Sequence, residues 1–454
     1  MRTRLKSLAR HQTAIATAGV IALGSQFWIL HELDNLKLYV VETIAAGLAA
    51  GIIYLVVLYA LEHSLDRPAA FWLVLAGALI FRLWLFPLEP TLSTDIQRYH
   101  WDARVQSAGW NPYAVRPDDP RLSPLRNDPK PRDWATMPGA DIPSIYPPLA
   151  QFVFRVTYHF LPDAPGVARL IWFKLPFALA DVLIVCMLAG WIRATRGRNF
   201  QLALYAWNPL VVVEFAGSGH CDALALAALV AAILVIIRWR EVVSTLLLTA
   251  AALAKVFPVL LFPLWLRRVG WPRSRWGWIN ALAALGLAAA CAWPFRSAWP
   301  VIPSTLAYYE SRWQHNNASL YSVLAWFSGS TDVAACIGVG VVAGLALWVA
   351  ARRMDVVRAA FILFGATLLL SPNAYSWYFT WVVPLLVFFP NSAWLMLTVL
   401  QFLSYHVLIE YQASGVWRFQ PFYLWLTYGP FFALLLWQAI RERRASIPPF
   451  SLAP

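Results

Sequence analysis

The sequence predicts an all-α fold: a polytopic helical membrane protein with about 12–14 transmembrane helices. Three observations carry that expectation. Hydrophobic residues make up 60% of the 454 residues and charged residues 13%, with a mean hydropathy of +0.57. A soluble domain is nearer half apolar and a quarter charged. The apolar residues also gather into runs close to the ~20 residues that cross a hydrocarbon core. Finally, the 25 Trp and 17 Tyr exceed the needs of a soluble core and suit the two interfaces of a bilayer. This composition excludes a disordered chain and does not fit an ordinary soluble enzyme.

The runs fall near 12–30, 40–61, 69–87, 166–192, 200–216, 222–237, 277–295, 333–351, 356–371, 377–389, 392–409 and 421–440. Two further stretches are irregular. Residues 148–162 are short and carry Arg155 and His159. Residues 242–266 are interrupted by Lys255 and Pro258, as two half-helices lining a cavity would be. With a cytoplasmic N-terminus, and with both irregular stretches returning to the face they left, the basic clusters share the cytoplasmic side. These include Arg193/Arg196/Arg198, Arg267/Arg268/Arg273/Arg275 and Arg441/Arg443/Arg444. The polar loops 88–147, 217–221, 296–318, 371–376 and 410–420 then share the other. The net charge of +13 is explained by the same positive-inside rule. No nucleic-acid motif competes with it, and the bilayer is the expected partner. The basic N-terminus reads as the start of an uncleaved first span, and the four cysteines form no CxxC pair. No tandem repeat appears, so residues 1–454 are expected to form one transmembrane domain.

The loop 88–147 is the main break in composition. Together with Pro148 it holds 11 of the 31 prolines, and it holds 8 of the 23 acidic residues. An ordered loop of that length is usually functional. It opens L-S-T-D-I-Q-R-Y-H-W-D-A-R, where helical spacing would put Asp95, Arg98 and Asp102 on one face. The plainer alternative is a solvated Asp–Arg pair of little energetic weight. The loop closes on Tyr146-Pro147-Pro148, a rigid extended entry into the next helix.

Ionisable residues at membrane depth are expensive and are candidates for function. Glu214, His220 and Asp222 flank Gly217-Ser218-Gly219 at a span end, where glycine lets backbone approach a ligand. Lys174 and Asp181, seven apart, share a helix face and suit either an ion pair to other helices or a catalytic role. Lys255 could meet a phosphate or snorkel. The segment Y-Y-E-S-R-W-Q-H-N-N mixes aromatics with Arg312, His315 and Asn317, a combination suited to a sugar or to an interfacial aromatic belt. Tyr378 belongs to a second such turn at 371–378. No paired-histidine or HExxH metal pattern is present.

Four of these segments, in order, resemble the GT-C superfamily, most closely its bacterial polyprenyl-phosphate-mannose-dependent mannosyltransferases. They are L-S-T-D-I-Q-R-Y-H-W-D-A-R-V-Q-S-A-G-W-N-P-Y, D-I-P-S-I-Y-P-P-L-A-Q, W-N-P-L-V-V-V-E-F-A-G-S-G-H-C-D-A-L and S-P-N-A-Y-S-W-Y. The resemblance runs from about residue 70 to about 430. It implies a GT-C-like helical fold, with an active site on the extracytoplasmic face under loop 88–147. It also implies a sugar passed from a polyprenyl-phosphate donor to a hydroxyl of a glycan or glycolipid acceptor. Asp95 matches the family's acidic residue after an early span. Many relatives carry two acids in tandem there. Thr94 precedes Asp95 here, which departs from a paired-acid metal site and keeps a single general base.

A polyprenyl phosphate is a good leaving group, so one carboxylate suffices where a glycosidase needs two. The expectation is an inverting displacement of a hexosyl group, with mannose favoured by the resemblance. Asp95 would be the catalytic base. The substrate contacts would come from Arg98, Tyr99, Asp102, Tyr146, His220, Asp222, Lys255, Arg312, His315, Asn317 and Tyr378. No cofactor is required by the sequence, and a divalent cation is left open. A transporter or flippase for a lipid-linked saccharide, another polyprenyl-linked transferase and a membrane scaffold are the alternatives. The first predicts midplane polar residues and pseudo-repeats. The expected location is a bacterial inner membrane with the active site facing outward.

Overall fold

The structure, a computed structural model, describes residues 2–127, 134, 137–161, 166–236, 240–312 and 316–446. It is helical throughout, and among the described residues the only extended pairing is an isolated bridge between Asn316 and Asn373. Among the described residues eight helices are long and apolar enough to cross a membrane, and three shorter apolar ones accompany them: Asp222–Ile236, Glu241–Ala254 and Val356–Leu370. The protein is therefore a polytopic helical membrane protein. Large apolar side chains such as Leu83, Leu285 and Leu347 point outward, as a surface facing lipid tails requires.

The first three spans are α1 (Arg2–Glu32), α2 (Val40–Glu62) and α3 (Pro68–Leu85). Pro68 opens α3 at a position where its missing N–H costs nothing. α2 lies close against the 392–406 segment because Gly47 and Gly51, one turn apart, present no side chain there. A Cβ on Gly47 would overlap the ring of Phe402, and one on Gly51 would overlap Val399. Small residues four apart are how helices approach in lipid, where there is no hydrophobic drive to do it.

Several of the apolar runs are not single α-helices, and two of them, 200–216 and 377–389, bear on the site. In 200–216 the helix Asn199–Ala206 stops at Asn208-Pro209. The Asn208 side chain accepts from the N–H groups of Leu210 and Val211 and donates to Thr398. Backbone freed inside the bundle is thus satisfied by a side chain. The chain then passes through a π-helical turn, Val213–Gly217. Run 377–389 likewise divides into short helices, Ser376–Trp381 and Val383–Leu386. The expected break in 242–266 is present: helix Glu241–Ala254 ends, Lys255 is extended, and a short 3-10 turn, Phe257–Leu261, follows.

The two ends of the bundle differ in chemistry. At one end Asp66 meets Arg198 and the backbone of Asn199, and Gln12 bonds Asp66, Arg67 and Asn199. At the other end the 88–147 loop folds over the helices. Its helix α4 (Asp95–Ser107) packs on the 13-residue helix Pro148–Phe160, too short at ~20 Å to cross. The chain is still at this end afterwards, since Arg169 bonds His100 and Lys174 bonds the Leu88 carbonyl. The loop has a small core of its own around Trp101, Val115, Leu122 and Met137. Tyr113 clasps it to Phe295, and Asn111 bonds the Phe295 carbonyl and Ser297.

Candidate active site

A cavity of about 770 Å³ opens under this loop. Three segments meet there: the start of α4, the break at Lys255–Phe257, and the turn 375–381. Asp95 is the first residue of α4, and its side chain keeps 23% of its exposure, which the cavity accounts for. Its backbone N–H is held by the Ser93 hydroxyl at 3.2 Å. Burial raises the proton affinity of this carboxyl above that of a free aspartate, Asp222 and Glu214 raise it further, and His220 and Lys255 oppose them.

Behind Asp95 lies a chain of buried groups. The His220 Nδ1 is 3.8 Å from the Asp95 carboxylate, and its Nε2 is 3.3 Å from Glu214. The Trp377 ring stacks on the imidazole at 4.3 Å. Glu214 is fully buried and accepts from Ser376 at 2.6 Å and from Tyr405 at 2.5 Å. Gly219 does not bring backbone to the cavity as the sequence suggested: its φ of +73° and its close protein neighbours are what exclude a side chain. A Cβ there would fall 2.5 Å from Lys174 Cγ and 2.9 Å from Ile96. Beside this chain, Lys255 pairs with Asp222 at 3.0 Å, and the Trp381 indole donates to the other Asp222 oxygen at 2.7 Å. Lys255 also lies over the Tyr378 ring, 5.2 Å from its centre.

The structure thus gathers Asp95, His220, Asp222, Lys255, Tyr146 and Tyr378 at one place. Arg98 reaches the wall, but its guanidinium bonds Asp102 at 2.9 Å and the carbonyls of Gly139 and Ile142. Asp102 points away from the cavity into a buried set with Ser144 and Gln151. The Arg98–Asp102 pair is therefore not solvated: it ties the returning segment 139–144 of the loop to α4. Tyr99 is packed between Phe154, Tyr146 and Phe177. Arg312 is on the exposed rim, bonded to the Tyr308 hydroxyl and 4.0 Å from Asp141. Asn317 belongs to the segment paired with 371–374, where Ala318 bonds the Ser371 carbonyl. His315 lies outside the described residues.

Other lining residues were not singled out one by one in the sequence, and of these Lys37, Trp381 and Trp417 lie outside its aromatic segments 308–317 and 371–378. Lys37, in the turn between α1 and α2, faces the cavity 5.1 Å from the centre of the Tyr411 ring, without a carboxylate partner among the described residues. Its proton affinity is lowered by burial. Tyr309, Tyr375, Trp377, Trp381 and Trp417 form an aromatic wall. The Tyr309 hydroxyl is pushed up to about 12 by burial, with the Asp95 charge adding to the shift. Among the described residues, no three His, Cys, Asp or Glu side chains are grouped as metal ligands.

Taken together, these features describe an integral membrane protein with one end of its bundle opening into a cavity lined by charged and aromatic side chains. The chain belongs to the alpha-(1->6)-mannopyranosyltransferase family, whose N-terminal-domain model matches residues 9–269. It is accordingly a glycosyltransferase that moves mannosyl groups. The matched region contains Asp95, Glu214, His220, Asp222 and Lys255, and the 375–381 wall lies beyond it. No curated protein and no solved structure matches the chain.

Proposed function

We propose that this cavity transfers mannose from a polyprenyl-phosphate donor to a hydroxyl of a glycan or glycolipid acceptor, with inversion, on the extracytoplasmic face of a bacterial inner membrane. Residues 1–454 act as one transmembrane domain in this reading, and loop 88–147 closes the site. The acceptor oxygen attacks the anomeric carbon, the bond from that carbon to the phosphate oxygen breaks, and polyprenyl phosphate leaves as an anion. Asp95 takes the acceptor proton. No acid is needed for the leaving group, because a phosphate ester departs without protonation. Lys37 and Lys255 supply positive charge where the phosphate gathers it, and the aromatic wall presents faces to the sugars. The observation that carries the reading is Asp95 itself, a carboxylate at the cavity surface with no hydrogen-bond donor on either oxygen among the described residues.

The test supplies purified protein in lipid with radiolabelled polyprenyl-phosphate mannose or with a nucleotide-linked mannose, each with an oligomannoside acceptor. Transfer from the lipid-linked donor alone is expected. Transfer from the nucleotide sugar alone would overturn the donor assignment.

A further inference from the structure

Lys174 is fully buried, and the transfer step as described does not use it. Arg82, Arg98 and Lys255 each face an aspartate, whereas among the described residues Lys174 pairs with no carboxylate. Its Nζ donates instead to two backbone carbonyls, Leu88 at 2.7 Å and Gly217 at 2.9 Å, and lies 5.4 Å from the centre of the Phe86 ring. Burying such a polar group is costly, and a methionine would fill the same space without that cost. What a methionine lacks is the bridge between the carbonyls.

Those carbonyls belong to the two segments that frame Asp95. Leu88 stands in the connection between α3 and α4, and α4 begins at Asp95. Gly217 ends the π-helical turn that carries Glu214, three residues before His220. The stem of Lys174 runs along Gly219, where a Cβ would fall 2.5 Å from its Cγ, and Ile96, next to Asp95, packs on the same glycine. The Asp95 carboxylate accepts no hydrogen bond among the described residues, so backbone sets its place.

We propose that Lys174 is a positioning residue for mannosyl transfer: by joining the Leu88 and Gly217 carbonyls through one nitrogen, it fixes Asp95 at the cavity edge, 3.8 Å from His220. The inference rests on the reading of Asp95 as the base and adds what holds that base within reach of the acceptor. Lys174 does not line the cavity and acts through the two peptides it bridges. The bridge needs two N–H donors, which an ammonium and a free amine both supply, so it stands with either form. A base displaced by about 1 Å can lose about 10²-fold in rate without any change in the substrate contacts.

The test is transfer from radiolabelled polyprenyl-phosphate mannose to an oligomannoside by the full chain in lipid, in wild type, Lys174→Met, Asp95→Asn and the double variant, with rates taken per folded protein. Lys174→Met keeps the stem and removes the bridge. Its kcat should fall by about 10²-fold, with KM for donor and acceptor within about twofold of wild type. In the Asp95→Asn background the same substitution should change kcat by no more than about twofold, because the group it positions is already gone. Lys174→Gln, with two N–H donors on a shorter stem, should recover part of the loss. Lys174→Leu removes the donors in a smaller side chain and serves where the methionine variant folds poorly. A kcat close to wild type in Lys174→Met, or in Lys174→Leu where that variant alone folds, overturns the proposal. So does an equal further loss in the Asp95→Asn background, which would make Lys174 a general strut of the fold. A raised KM at unchanged kcat overturns it as well. Failure of the underlying reading looks different: Asp95→Asn would then retain full transfer.

Discussion

Two buried aspartates sit in the same bundle and do opposite things. Asp181 bonds Arg82 through both oxygens, at 2.6 and 3.1 Å, and takes a third hydrogen bond from Tyr205 at 2.7 Å. The Nη1 of Arg82 donates to the carbonyls of Ala78 and Ala206. Both oxygens are bonded by protein groups, and the side chain is fully buried. Asp95 has the same chemical identity, yet among the described residues no Lys or Arg forms an ion pair with it, and it borders the cavity. Charge at membrane depth therefore does not by itself mark a reactive site. An ionisable group whose hydrogen-bonding capacity is left open toward a cavity does.

That contrast predicts where each substitution will be felt. Arg82→Leu leaves Asp181 buried without its cation, a change that costs about 3–5 kcal/mol. The expected result is a large fall in Tm in detergent, with normal kcat in the fraction that stays folded. A loss of kcat at unchanged Tm would erase the distinction between the two aspartates. Lys37→Met should leave Tm unchanged and raise KM for the lipid-linked donor by roughly tenfold, the equivalent of about 1.4 kcal/mol of phosphate binding. An unchanged KM would remove Lys37 from the donor site.

The smallest effect concerns stability and pH. Burial raises the proton affinity of the Asp95 carboxyl in the folded protein. The folded state then binds this proton more tightly than the unfolded chain does, so ionising Asp95 costs stability as pH rises past its unfolded value. Below that value, near the model-compound 3.8, both states are protonated and the cost vanishes. Asp95→Asn should consequently have a slightly higher Tm than wild type at pH 7, with the gap closing in acid. A lower Tm at pH 7 would show that the carboxylate is stabilising, as Asp181 is.

Much of this arrangement was legible in the sequence. The long apolar runs marked the main spans, and Lys255 with Pro258 marked the break that brings a lysine to the cavity. Asp95, His220 and Asp222 were visible as charges at span ends. The break at Asn208-Pro209 was not recognised, because hydropathy averages over a cap that only its partner Thr398 makes tolerable. Helical spacing correctly joined Arg98 to Asp102 but gave no sense of direction, and the pair faces the loop instead of the cavity. The Glu214–His220 contact depends on the π-helical turn at Val213–Gly217, outside the reach of a 3.6-residue period. Lys37 stands in a short turn without any motif. Only tertiary folding carries it to Tyr411.

The central claim is that Asp95 acts as the base for mannosyl transfer, and single-turnover kinetics test it most directly. Wild type and Asp95→Asn, matched for folded protein in lipid, are loaded with radiolabelled polyprenyl-phosphate mannose and mixed with excess acceptor. The account predicts that donor binding survives while the transfer rate falls by about 10²–10⁴-fold. A rate within a few-fold of wild type would contradict it and leave the proton to another group.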